Sequence, residues 1–224
     1  FAGGYHTTYD KEKKEFNIKY FDDIEVFNPL TERFYLLKSK ITPSGGRTAL
    51  KLQTGDVLFI GGTVKEKIDW GPEKTLEIFN PKNNTLKKVG YWQNAKPARY
   101  QPLEDGRILI IPDFYRLQIY DPQNNHFTEV SGRPSIRRKS GFASTALLSD
   151  GTVLIVGGYG CSYVWEQCPY GENVIEVYNP KKNNFEVIGR TKEWFFIGSL
   201  INFDSTLYFI GVDGLIQTYR PRAS

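Results

Sequence analysis

"VIEVYNPKKNNFEVIG", residues 174–189, is written almost twice more in the same chain, as "TLEIFNPKNNTLKKVG" at 75–90 and "LQIYDPQNNHFTEVSG" at 117–132. Self-similarity of this kind is the sequence signature of a repeat architecture, and it takes precedence over any single-element reading. An aromatic residue, then Asn, Asp or Arg, then Pro recurs at Phe27-Asn28-Pro29, Phe79-Asn80-Pro81, Tyr120-Asp121-Pro122, Tyr178-Asn179-Pro180 and Tyr219-Arg220-Pro221. A second marker, a turn followed by an apolar run, precedes all but the first: "LQTGDVLFIGG", "LEDGRILIIPD", "LSDGTVLIVGG" and the degenerate "INFDSTLYFIGV".

Each unit reads as four short strands. In the fullest copy, "GFASTALLS" is an inner strand, Asp150-Gly151 a tight turn, and "TVLIVGG" a second strand apolar on both faces. "NVIEVYNP" is the third, ended by a proline that cannot donate to a ladder, and "KKNN" turns the chain into "FEVIG", the fourth. A sheet with a two-faced apolar strand cannot stand alone. Neighbouring units must cover it, which is the radial logic of a propeller.

The Gly pair after the apolar strand (Gly3-Gly4, Gly61-Gly62, Gly157-Gly158), followed by an acidic-aromatic "EVYNP" strand, resembles the kelch repeat, including the kelch domain of galactose oxidase. The resemblance runs over nearly the whole chain. It departs at Pro112-Asp113 and Gly211-Val212, which replace the Gly pair, and at Phe34, Leu86, Phe127 and Phe185, which replace the family's late Trp. The expectation is an all-β, kelch-type propeller in one domain, 1–224. About five blade units are in view (1–38, 46–90, 98–131, 141–189 and 195–224), the first and last partial and three complete. They carry 18 strands, and they form either a closed ring or part of a larger propeller.

Composition allows this and excludes other classes. The chain has 224 residues, 40% of them hydrophobic and 24% charged, which suits a folded globular protein. The net charge is only +4, with no continuous basic stripe interleaved with aromatics, so nucleic acid is a poor fit. No apolar run reaches the length of a membrane-spanning helix. Position 1 lies inside a repeat, so no leader is legible.

In this architecture, as the resemblance implies, ligands meet the face built from the loops joining strand two to strand three and one blade to the next. The first set spans 5–22, 63–74, 113–116 and 159–173. All four tryptophans fall on these two loop sets, Trp70 and Trp165 in the first and Trp92 and Trp194 in the second, with Tyr5, Tyr9, Tyr115 and Tyr163 beside them. Such side chains either stack on sugars, peptides or cations, or pack the loops together. Arg47 and Arg99 read as equivalent residues at the entrance to inner strands. Arg116, Arg133, Arg137, Arg138 and Lys139 add positive charge near the same face, suited to carboxylates or acidic peptides or else simply solvated.

Cys161 and Cys168 share one loop and are expected to form a disulfide, stabilising it by roughly 2.5 kcal/mol, the alternative being two reduced thiols. That expectation leans toward an extracellular or periplasmic setting over a cytoplasmic one, and the compartment itself is not legible. With only His6 and His126, in different units, neither a zinc site nor the copper ligand set of galactose oxidase can be assembled, so no metal or cofactor is expected. The leading reading is a non-enzymatic module binding an acidic protein segment or a glycan. The alternatives are a sugar-processing enzyme similar to the kelch-type sialic acid mutarotases, using loop carboxylates such as Asp69, Glu73, Asp113, Glu166 and Glu172 with Arg99 or Arg138, and a structural module of a larger protein. Oligomeric state is left open.

Overall fold

The computed structural model describes residues 2–66, 69–93, 95, 98–112, 116–135, 138–160, 173–192, 198–203, 206–211, 214 and 216–219, with side chains outside the description at 65–66, 69–70, 138–142, 159–160, 198 and 202. Every element among them is a β-strand, and every pairing is antiparallel. Two compact units are present, Phe1–Lys96 and Pro97–Ser224.

In the first unit, β1 (Tyr5–Asp10) and β2 (Glu15–Tyr20) form a hairpin, β3 (Glu25–Asn28) and β4 (Arg33–Leu36) a second, and Ala2 bridges Ile24 as the stub of a further strand. A four-stranded sheet follows in spatial order β5 (Thr48–Lys51), β6 (Val57–Ile60), β9 (Thr75–Asn80) and β10 (Thr85–Tyr91). The hairpin β7 (Thr63–Glu66) and β8 (Asp69–Pro72) is inserted between its second and third strands. The second unit holds β11 (Ala98–Pro102), β12 (Ile108–Pro112), β13 (Gln118–Asp121) and β14 (His126–Glu129) in one sheet. The next contains β15 (Arg138–Leu147), β16 (Val153–Gly160), β17 (Val174–Asn179) and β18 (Asn184–Arg190), and the last β19 (Gly198–Phe203), β20 (Thr206–Gly211) and β21 (Ile216–Tyr219). The four-strand unit read from the sequence is therefore real in three copies, with shorter sheets at each end. The segments 5–22 and 63–74, expected as loops, are instead largely the hairpins β1–β2 and β7–β8.

The decisive packing is around β16. Val153 and Ile155 join a cluster with Leu109, Ile111, Leu117 and Ile119 of the preceding sheet, while Leu154 and Val156 join Leu207 and Phe209 of the following one. Successive residues of a strand point to opposite faces, so one strand closes two different interfaces. The first strands follow the same order, with β15 lying against β11 on one side and β19 on the other. In the first unit Phe59 and Phe79, with Val57 partly buried beside them, pack on Ile24 and Leu37 around the β3–β4 sheet in the same manner.

Two turns set the strand spacing. The turn after each complete inner strand closes with a hydrogen bond from the N–H of Gly55, Gly106 or Gly151 to the carbonyl of Leu52, Leu103 or Leu148, and each glycine has φ between 82° and 87°. The outer turn carries the proline marker. Asn28, Asn80 and Asn179 each accept two backbone N–H bonds through Oδ1, Pro fixes φ at the next position, and the fourth residue after the Asn is left-handed: Glu32, Asn84 and Asn183, with φ of 52–56°. Asp121 and Asn125 repeat the arrangement.

So do Asp10 and Lys14, where Lys11 stands in place of proline. The β1–β2 hairpin is thus the same outer-strand turn used once more. Aromatic rings flank it seven residues apart, at Tyr9–Phe16, Phe27–Phe34, Tyr120–Phe127 and Tyr178–Phe185, with centroids 4.7–5.0 Å apart. The positions where the kelch resemblance lacks Trp therefore carry cross-strand partners of the marker aromatic, each such pair contributing about 0.5–1.5 kcal/mol beyond area burial. The Tyr120 and Tyr178 hydroxyls donate to Asn125 and Asn183 at 3.0 and 3.1 Å. Burial, with Asp121 alongside, pushes the Tyr120 hydroxyl up to about 12, so it remains a donor.

A left-handed residue other than Gly or Asn costs about 1–2 kcal/mol. Glu32→Gly is expected to raise unfolding stability by about 1 kcal/mol, and Asn84→Val to lower it by about 1–2 kcal/mol. Urea denaturation midpoints of the two variants measure both shifts, which have opposite signs.

Candidate functional site

Arg47 does not line a rim. Its side chain is 1% exposed and pairs with Glu77 of β9, while its Nη2 donates to the carbonyls of Phe59 (2.9 Å) and Thr75 (2.5 Å). Gly62, with φ of 98°, makes room for it, since a Cβ there would lie 2.8 Å from Arg47 Cγ. Glu77 also accepts from the backbone N–H of Thr42 at 3.1 Å and from its hydroxyl at 2.9 Å. At the same register position of the next complete copy but one, Glu176 accepts from the N–H of Ser135 at 2.5 Å. The Glu of the "LEIFN" and "IEVYN" strands thus ties down the segment leading into the same sheet's first strand. This role was legible only as a recurring acid in an otherwise apolar strand.

Arg99 is not the counterpart of Arg47. It sits opposite Ile111, as Thr48 sits opposite Ile60 and Ser144 opposite Val156, so the counterpart of Arg47 is Ala98. A one-residue slip in a strand reverses the face that a side chain presents. Arg99 is half-buried, and its Nε donates to the carbonyl of Ala143 on β15 at 2.7 Å, tying two first strands together. Its terminal nitrogens make no hydrogen bond among the described residues.

Trp92, expected on the exposed face, is buried. Its backbone N–H donates to the Lys74 carbonyl at 2.7 Å, so it belongs to the packing that ends β10. Arg116 is exposed and 3.6 Å from Glu129, an ion pair in solvent, and Arg133 is exposed on the turn after β14. Trp70 lies on β8 opposite Lys65, and Arg138 on β15 opposite Gly160, by backbone register alone. Tyr115, Arg137, Tyr163, Trp165, Cys161 and Cys168 lie outside the described residues. The expected ring of aromatic and basic side chains is accordingly not brought together by the described residues, and two of its members, Arg47 and Trp92, are interior. Among the described residues no group of three His, Cys, Asp or Glu could hold a metal ion.

The β1–β2 hairpin was missed as an element, and it carries a surface of its own. Register places Tyr5 opposite Tyr20, Thr7 opposite Ile18 and Tyr9 opposite Phe16 on one face. His6, Thr8 and Asp10 oppose Lys19, Asn17 and Glu15 on the other. One face is therefore aromatic and aliphatic apart from Thr7, the other entirely polar. At the root, the Tyr5 ring rests on Gly45, where an added Cβ would come within 2.6 Å of it, and Gly45 exchanges both backbone hydrogen bonds with Thr63 of β7. Toward the tip, Tyr9 and Phe16 are 51% and 60% exposed, with their rings 5.0 Å apart. The signal in the sequence was the strict alternation of "EFNIKY" and the four-residue spacing of the tyrosines in "YHTTYD", on either side of a four-residue turn.

No family model matches the chain, and no curated protein matches it by sequence. Solved structures do match, among them that of YjhT, with a TM-score of 0.63 and 14% sequence identity over 96% of this chain and 76% of that one. At that identity the likeness is one of fold: the chain shares an all-β arrangement of antiparallel sheets with YjhT.

Removing one partner of a buried ion pair leaves an uncompensated charge and costs about 3–5 kcal/mol. Arg47→Ala is expected to lose stability in that range in urea unfolding. The joint change Arg47→Met with Glu77→Leu is expected to recover part of the loss, because Thr42 still forfeits its acceptor. A loss under 1 kcal/mol for Arg47→Ala would return Arg47 to the list of surface cations.

Proposed function

We propose that the chain is a kelch-type β-propeller module of about five blade units that binds a partner, a protein segment or a glycan, without chemical turnover. Support for the propeller comes from the second strands, each apolar on both faces, and from β11, β15 and β19 lying side by side. The kelch type rests on the Gly pairs, whose two residues both take positive φ at Gly3-Gly4, Gly61-Gly62 and Gly157-Gly158, and on the recurring aromatic-Asx-Pro turn.

The single observation that carries the binding reading is the aromatic face of the β1–β2 hairpin. A two-stranded ribbon is marginal in isolation, and this one keeps Tyr9 and Phe16 in water while its charged residues occupy the opposite face. The two cross-strand ring pairs on that face, Tyr9–Phe16 at 5.0 Å and Tyr5–Tyr20 at 6.0 Å, offer large contact area at small entropic cost. Such a surface fits the planar faces of sugar rings or the side chains of an extended peptide. Arg99, with its terminal nitrogens unpaired among the described residues, is a second and separate group suited to a carboxylate.

The test is a combined glycan and acidic-peptide array with the wild-type chain, repeated with Tyr9→Ala, Phe16→Ala and Arg99→Ala. Loss of about tenfold or more in affinity for an array hit in the Tyr9 or Phe16 variant, with an unchanged circular dichroism spectrum, is the expected result. Retained binding in both hairpin variants discards this face, and turnover of a bound sugar discards the non-enzymatic reading.

A further inference from the structure

The turn between β9 and β10 carries a motif that the other copies of the repeat lack. Asn83-Asn84-Thr85 is the one place in the chain where an asparagine is followed, across a residue other than proline, by a hydroxyl residue. That pattern is the acceptor signature for an N-linked glycan on a surface loop. Three residues recur by chance, and it is the geometry of the turn that singles this copy out.

Thr85 donates twice to Asn83 Oδ1, from its hydroxyl at 2.6 Å and from its backbone N–H at 3.2 Å. Both bonds fall on the oxygen of the carboxamide, so the group is held while Nδ2, which can only donate, has no partner among the described residues. The backbone of the turn is fixed without that nitrogen: Asn80 Oδ1 accepts the N–H groups of Lys82 and Asn83, and the Ser39 hydroxyl donates to the Asn84 carbonyl at 2.8 Å. Asn83, Asn84 and Thr85 are all exposed, and the ladder ends at the pair Asn80 and Thr85, which leaves Asn83 outside it.

The other described copies of the turn serve as internal controls. The residue in the place of Asn83 is Lys13, Thr31 or Lys182 in three of them and Asn124 in the fourth. Asn124 fails on both counts, since its Nδ2 donates to Asp121 Oδ2 at 3.0 Å and the residue two places on is His126. One backbone turn thus presents a carboxamide with its oxygen held by a hydroxyl and its nitrogen unengaged at Asn83 alone.

We propose that Asn83 is an acceptor for an N-linked glycan. The co-substrate is a diphosphate-activated oligosaccharide, and the transferase is a separate enzyme. Nδ2 forms a bond to the anomeric carbon, the bond from that carbon to the diphosphate oxygen breaks, and the diphosphate leaves with the electron pair. One of the two amide protons is taken up by a base of the transferase and ends on the diphosphate. The glycan then stands at the end of the sheet opposite β7, which follows β6 and precedes β9, and it is β7 that bonds to Gly45 beneath Tyr5. It therefore leaves the root of the aromatic hairpin clear, and the site does not depend on what that hairpin binds.

The test is expression of the chain behind a signal peptide in a eukaryotic host, with intact mass measured before and after enzymatic removal of N-glycans. Retained and secreted chain are both read, so that poor secretion does not leave the result open. The wild-type chain is expected to carry one glycan, placed on Asn83 by peptide mapping, with Asn124 bare. Asn83→Gln and Thr85→Ala are each expected to abolish it, and Thr85→Ser to retain it. The glycosylated and deglycosylated chains are expected to share one circular dichroism spectrum. A wild-type chain with Asn83 unmodified overturns the proposal, as does a glycan that persists in Asn83→Gln or a spectrum that changes when the glycan is removed.

Discussion

A strand whose successive side chains are all apolar has no face to turn toward water, and β16 is such a strand. Val153, Leu154, Ile155 and Val156 are all buried, and they are divided between two clusters that belong to two neighbouring sheets. Burying an aliphatic side chain is worth about 1.5–3 kcal/mol, so leaving either face open would forfeit several kcal/mol, a large share of the stability of an ordinary domain. Sheet must follow sheet for this reason. The turns, the glycine pairs and the buried acids serve that stacking: the turns hold four strands at fixed length, and Glu77 and Glu176 fasten the connection that leads into the same sheet's first strand.

The repeat was legible because its signals are local. A proline after an Asx that accepts two N–H bonds, a left-handed residue four places after the Asx, and an aromatic pair seven residues apart all sit within one turn, where sequence and conformation are tightly coupled. The β1–β2 hairpin escaped although it uses that same turn, because Lys11 replaces the proline that served as the marker and a long segment between strands reads as a loop by default.

The reading of Arg47 and Arg99 as equivalent rim residues failed for a different reason. Pairing Arg47 with Arg99 required a register accurate to one residue, and spacing between markers does not supply it. The ladder does: Thr48, not Arg47, is the counterpart of Arg99. Burial of Arg47 against Glu77 was likewise invisible, since the two are 30 residues apart and meet only when β5 and β9 flank β6. Surface character of an arginine or a tryptophan depends on such non-local contacts, as Trp92 also demonstrates. The aromatic hairpin face, the contact surface proposed above, is defined by the cross-strand register of two adjacent strands and is correspondingly simple to read once the hairpin is known.

The central claim, that one strand closes two separate interfaces, is most directly tested by double-mutant cycles on β16. Ile155→Ala with Leu109→Ala is predicted to show a coupling energy of about 0.5–3 kcal/mol, as is Leu154→Ala with Phe209→Leu, whereas Leu154→Ala with Leu109→Ala is predicted to be additive. Coupling of Leu154 to Leu109, or a negligible cost for Leu154→Ala, would mean that β16 has only one buried face and would contradict the account.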